Sequence, residues 1–176
     1  MNGLMITLSL ADERLLHAFL LRRRPLGDVL MRFVTRVGNP TTIVPVATAL
    51  GFGLIPSLHD AGIVAAWSLA SSHLIVHVLK HRICRERPRL PVGLSWLIEP
   101  EDRFSFPSGH AAAGLSVALP VFVALTGPLA GAVFALGLMV GVSRCYLGVH
   151  YPGDILMGWA LAAGSVAGMA LFFGGV

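Results

Sequence analysis

The chain is short of charge. Asp, Glu, Lys and Arg make up 12% of its 176 residues, against about 25% in an ordinary soluble domain. That scarcity excludes a solvated globular surface of normal composition. Cysteine is scarce too: Cys84 and Cys145 are too few for a disulfide framework and show no metal-binding spacing. Lysine is almost missing, since Lys80 is the one lysine beside 12 arginines. The chain has no internal repeat, low-complexity segment or soluble linker domain, and Met1–Leu10 lacks the basic start and cleavage site of a secretory signal peptide. What fills the chain is apolar: 55% hydrophobic residues and a mean hydropathy of +0.77. This composition predicts an integral membrane protein of one domain, residues 1–176, with about five to six transmembrane helices. The formal net charge of +4 suits anionic headgroups. Nucleic acid is not expected as a partner, because the cations adjoin membrane spans.

Residues 12–37 read as interfacial helices. Around Glu13–Leu21 a first helix ends in Arg22-Arg23-Arg24, a run that fits a headgroup anchor. Leu26, Leu30, Phe33, Val34 and Val37 then follow helical spacing, with Asp28, Arg32 and Arg36 on another face, as in an amphipathic helix lying in the interface. Residues 41–176 read as the transmembrane core. Thr41–Leu58 is uncharged and reaches about 27 Å as a helix, enough to span. Ala61–Leu79 is the second expected span; its His73 and His77, one turn apart, fit packing against neighbouring helices better than metal binding. Spans three to five are expected from Pro107 to Thr126, over Leu129–Val142 and over Ile155–Val176.

Three polar stretches interrupt this pattern. Lys80–Arg89 places five cations directly after a span, as positive-inside topology alone would do. Glu99, Glu101 and Asp102 further along the same loop form an acidic patch suited to pairing with nearby arginines, without a catalytic role. Pro107-Ser108-Gly109-His110 opens the third span, with Ser108 as N-cap, and its free N–H groups form an anion site. Ser143–Asp154 carries Arg144, His150 and Asp154 between two apolar runs, where charge is costly. Pro152 fits the first position of a new helix and Asp154 its first turn, one turn from His150. A carboxylate there can fix the imidazole tautomer.

Counting crossings brings the three stretches to one membrane face. The turns near His59-Asp60 and Gly127-Pro128 on the other face hold one formal charge between them. The assembled groups are Lys80, Arg87 and Arg144, a helix N-terminus with Ser108, two histidines and one aspartate. Cations plus free N–H groups suit phosphate. Two histidines divide the chemistry: His150, oriented by Asp154, as nucleophile, and His110 as acid and base.

Lys80-x6-Arg87-Pro88, Pro107-Ser108-Gly109-His110 and Ser143-Arg144-x5-His150-x3-Asp154 resemble the three-part signature of the type 2 phosphatidic acid phosphatase (PAP2) superfamily, in order and intact over roughly residues 75–160. The resemblance implies an all-α membrane bundle and a phosphomonoesterase or diphosphatase that needs no metal or other cofactor and works through a phosphohistidine. It implies that Lys80, Arg87, Ser108, Gly109, His110 and Arg144 hold the phosphate. It further implies a lipid phosphate or diphosphate substrate in a bacterial cytoplasmic membrane, undecaprenyl diphosphate and phosphatidylglycerophosphate among the options, with no obligatory protein partner. The polar N-terminal region departs from a sixth span. Two competing readings stay open: a metal-dependent hydrolase using His110, His150 and Asp154, which the surrounding cations oppose, and a lipid-phosphate transporter or binding protein, which polar groups at span ends rather than mid-membrane disfavour.

Overall fold

The computed structural model describes residues 3–174, with side chains from residue 10 onward. Met1, Asn2, Gly175 and Val176, the ends of the expected domain and of its fifth span, lie outside the described residues. Among the described residues there are seven α-helices: α1 (Gly3–Leu20), α2 (Pro25–Val37), α3 (Pro40–Gly51), α4 (His59–Ile83), α5 (Gly109–Ala124), α6 (Pro128–Tyr146) and α7 (Pro152–Phe172). Proline opens α2, α3, α6 and α7 at the first turn, where its missing N–H leaves nothing unpaired.

The all-α membrane bundle expected from composition is present. Among the described residues, three helices are long and apolar enough to cross a membrane: the run Pro56–Ile83 that contains α4, together with α6 and α7. α3 and α5 are shorter apolar helices. The expected span Thr41–Leu58 is therefore corrected. Its helix stops at Gly51, after 12 residues, or about 18 Å of rise. Gly53 sits at φ +77° and Pro56 starts a separate 3-10 turn, Pro56–Leu58, so an uncharged run is broken by backbone chemistry that hydropathy does not register.

α5 is the central helix, packed against α4, α6 and α7, and most of its residues from His110 to Val121 are buried. The α5–α6 crossing is close because glycines form it. A Cβ on Gly137 would stand 2.4 Å from the Ala118 Cβ, and one on Gly114 would stand 2.9 Å from the Gly137 carbonyl. Small residues let apolar helices gain packing where lipid gives no hydrophobic drive. α2 turns Leu26, Val29, Leu30 and Phe33 outward, as an interfacial helix does. α1 begins earlier than expected and is docked rather than merely resting on the surface. Leu16 and Leu20 are fully buried in a cluster with Ala111, Cys145 and Ile155.

Candidate active site

The end of α4, the starts of α5 and α7 and the end of α6 meet at one end of the bundle. α4 stops at Cys84, in the left-handed region at φ 52°. The chain then runs extended, pairing Glu86 with Phe104 in an antiparallel bridge. The Ser105 N–H donates to the Arg85 carbonyl (2.8 Å) and the Ser105 hydroxyl to that of Glu86 (2.9 Å). This pairing aims Arg85 and Arg87 inward. At the start of α5, the Ser108 Oγ accepts from the Ala111 N–H (3.4 Å), as an N-cap. The Ser108 N–H donates to the Asp154 carbonyl (3.0 Å), which fixes α5 to α7.

A cavity of about 210 Å³ opens here, lined by Lys80, Arg87, Gly109, His110 and His150, with His73, His77, Glu101 and Asp102 at its walls. The structure thus unites the three stretches that the sequence separates. Gly109 leaves the wall open, since a Cβ there would meet only Val76 and the His73 Nε2, at 3.8 and 3.9 Å. His73 and His77, expected to pack against neighbouring helices, both line the cavity, and His73 Nε2 lies close beside Gly109 of α5. Among the described residues, no three His, Cys, Asp or Glu side chains are grouped to hold a metal ion.

The cations are held in place by carboxylates. Lys80 Nζ donates to Asp102 Oδ2 (2.7 Å) and to the Phe104 carbonyl (3.1 Å). Arg87 donates to Asp102 Oδ1 (3.0 Å), to the Val149 carbonyl (2.8 Å) and to His150 Nε2 (3.1 Å). Burial opposes ionisation of Asp102, but the Lys80 hydrogen bond and charge and the Arg87 guanidinium outweigh it and hold the carboxyl below its ordinary range. Asp102 and Glu101 of the acidic patch therefore lie against the cations, as the position of the patch in the loop suggests.

Arg144 is 1% exposed. Its Nη1 donates to the Thr35 hydroxyl (2.9 Å), and Glu101 lies 3.7 Å from Nη2. Nε and Nη2 have no hydrogen-bond partner among the described residues. Such a buried, unpaired guanidinium edge is costly unless an anion completes it.

His150 Nε2 faces Arg87, which can only donate, so this nitrogen accepts and the ring proton sits on Nδ1. Nδ1 points at Asp154 Oδ2 from 3.4 Å, longer than a good hydrogen bond, because Oδ2 is taken by the Tyr151 N–H at 2.9 Å. Burial first, then Arg144, Arg87 and Lys80, hold His150 well below the ordinary histidine range, so the ring is neutral. His110 Nε2 lies 2.8 Å from Asn39 Oδ1 and 3.2 Å from Glu101 Oε1.

Sequence reasoning missed Asp12, Thr35, Asn39 and Arg85. Arg85 bridges Asp154 Oδ1 and Asp12 Oδ2, both at 2.7 Å. Burial opposes its charge, but Asp154 and Asp12 outweigh it and raise the guanidinium above its ordinary value. Position in a run of cations was the one signal available for Arg85; Asp12, Thr35 and Asn39 gave none.

The fold and this cavity define a class: an all-helical integral membrane protein with a cation-lined cavity that opens at one end of its bundle. Residues 61–175 match the PAP2 superfamily. The chain is 30% identical over 178 residues to phosphatidylglycerophosphatase B of Bacillus subtilis, covering 93% of this chain and 80% of that protein. It is 31% identical over 139 residues to undecaprenyl-diphosphatase of Sulfolobus acidocaldarius, covering 76% of this chain and 65% of that protein. The crystal structure of a transmembrane PAP2-type phosphatidylglycerolphosphate phosphatase from Bacillus subtilis superposes with a TM-score of 0.75 at 28% identity, over 94% of this chain and 86% of that one. The chain belongs to the PAP2 superfamily and is a membrane phosphatase.

Proposed function

We propose that this protein hydrolyses a lipid phosphate or diphosphate through a phosphohistidine on His150, without a metal, as a single domain in a bacterial cytoplasmic membrane. The observation that carries the reading is the open Nε–Nη2 edge of buried Arg144 together with a cavity lined by Lys80, Arg87, His110 and His150. Phosphatidylglycerophosphate and undecaprenyl diphosphate are the substrate types that the named relatives suggest.

In this reading the phosphate takes the Arg144 edge, Lys80, Arg87, the Ser108 hydroxyl, which accepts from Ala111 and keeps its proton to donate, and the Gly109 N–H in the first turn of α5. It replaces Glu101 and Asp102 on these cations. By accepting from Arg87 it frees the His150 Nε2 lone pair. Nε2 then bonds to phosphorus as the ester P–O bond breaks. The leaving oxygen takes a proton from His110, while Asp154 steadies the positive charge arising on His150. Water next attacks the phosphohistidine and gives its proton to His110. The P–N bond breaks and inorganic phosphate leaves.

Purified protein is incubated with phosphatidic acid, phosphatidylglycerophosphate and undecaprenyl diphosphate in excess chelator, and released phosphate is counted. Turnover of at least one lipid is expected. Turnover that is abolished by chelator and restored by a divalent cation favours the metal-dependent alternative; binding without turnover favours a carrier.

A further inference from the structure

We infer that Arg85 and Asp12 are positioning residues for Asp154, which makes the N-terminal helix a working part of the active site. The inference rests on the proposed role of His150. Asp154 is completely buried, and a buried carboxylate without a partner is strongly unfavourable. Its partner is Arg85 rather than an arginine of the phosphate cradle. Arg85 Nη1 donates to Asp154 Oδ1 at 2.7 Å, and the Tyr151 N–H occupies Oδ2 at 2.9 Å. With both oxygens held, the carboxylate has one orientation, and that orientation presents Oδ2 to His150 Nδ1.

Arg85 is itself fixed on three sides. Its Nη2 donates to Asp12 Oδ2 at 2.7 Å, its guanidinium lies 4.1 Å from the centre of the Tyr151 ring, and its other terminal nitrogen is on Asp154. Asp12 then accepts the Gly153 N–H on Oδ1 at 2.7 Å, in the first turn of α7. One carboxylate on α1 therefore grips both the arginine that holds Asp154 and the helical turn that carries it. Leu16 and Leu20, one and two turns further along α1, are fully buried and seat that helix. These contacts join residues 73 and 141 positions apart, so local geometry does not create them. Arg85 falls between Lys80 and Arg87 without belonging to their motif, and Asp12 precedes the segment matched to the superfamily.

The test is a double-mutant cycle on the full-length protein in detergent, with kcat and KM measured separately. Arg85→Met is expected to lower kcat by about ten- to a hundredfold with KM little changed, because orientation and not phosphate binding is lost. In an Asp154→Asn background the same substitution is expected to cost less than about twofold further, since the carboxylate it positions has gone. Asp12→Asn, which keeps its shape, is expected to lower kcat by a smaller factor that also vanishes in that background. It reads the same coupling should Arg85→Met fail to fold. Arg85→Lys is expected to recover part of the loss. Multiplicative effects of Arg85→Met or Asp12→Asn with Asp154→Asn would overturn the inference, as would a raised KM at unchanged kcat. Full activity of Asp154→Asn alone would instead refute the role assigned to Asp154 and His150.

Discussion

Replacing Arg144 by lysine preserves charge and removes geometry, so it separates the two contributions. The guanidinium is 1% exposed. One nitrogen is spent on Thr35, and the Nε–Nη2 edge is open. Lysine has one ammonium, which cannot hold Thr35 and also present two parallel N–H groups to a phosphate. The loss is one to two charge-assisted hydrogen bonds, or about 2–4 kcal/mol at 1.5–3 kcal/mol each with partial compensation by the ammonium. That predicts a fall in kcat/KM of about 30-fold to about a thousandfold. Arg89 is the control. Its side chain is 86% exposed and pairs with Glu86, itself 75% exposed, and such surface pairs contribute little. Phosphate release from the preferred lipid, measured on both variants at matched folding by thermal melt, checks the prediction. Arg89→Ala more damaging than Arg144→Lys, or Arg144→Lys within about threefold of the parent, would refute the assigned cradle.

Three further outcomes follow from the same geometry. Because His150 is neutral in the fold and its pKa is depressed, the unfolded chain binds more protons below the ordinary histidine value of about 6.5. Stability should therefore rise with pH through that region and fall on acidification, and His150→Asn should flatten the slope of melting temperature against pH. Glu101 lies 3.2 Å from His110 and 3.7 Å from Arg144, where it competes with a bound anion; Glu101→Gln should make inorganic phosphate a tighter competitive inhibitor, and a weaker one would count against the displacement step. In a background without Cys84 and Cys145, single cysteines at exposed Val92 and Arg103 should label from one side of the membrane and those at exposed Ser57 and Thr126 from the other; Val92 and Thr126 labelling from the same side would break the bundle's orientation.

The parts of the site that sequence could reveal are those whose residue types and local spacing carry the chemistry. Ser108 before Gly109 and His110 announces a capped helix start, and Pro152 with Asp154 announces another; both helices begin where expected. The convergence of Lys80, Arg87, His110, Arg144 and His150 followed from counting crossings, because a helix that spans must deliver its end to one face or the other. The convergence is present even though α3 is short: its helix gives way to a turn after Gly51, and α4 packs back against α3. What remained hidden depends on tertiary contact. Asn39 meets His110 across 71 positions and Thr35 meets Arg144 across 109. Nothing local marks either residue as anything but part of an interfacial helix and its end. Asp12 has no local partner or motif to mark it, and it is the docking of Leu16 and Leu20 that seats α1 against the site.

The central claim is that phosphate passes through His150, and a rapid-quench search for the phosphoenzyme tests it most directly. With an aryl phosphate, whose leaving group needs no protonation, His110→Ala should still be phosphorylated. It should then hydrolyse slowly, since general acid–base help is worth about a hundredfold to ten-thousandfold. The account predicts acid-labile, base-stable phosphate accumulating on His150 in that variant, and none in His150→Ala. Label on His110 in His150→Ala would reverse the assignment, and no label in any variant, together with sensitivity to chelator, would contradict the phosphohistidine altogether.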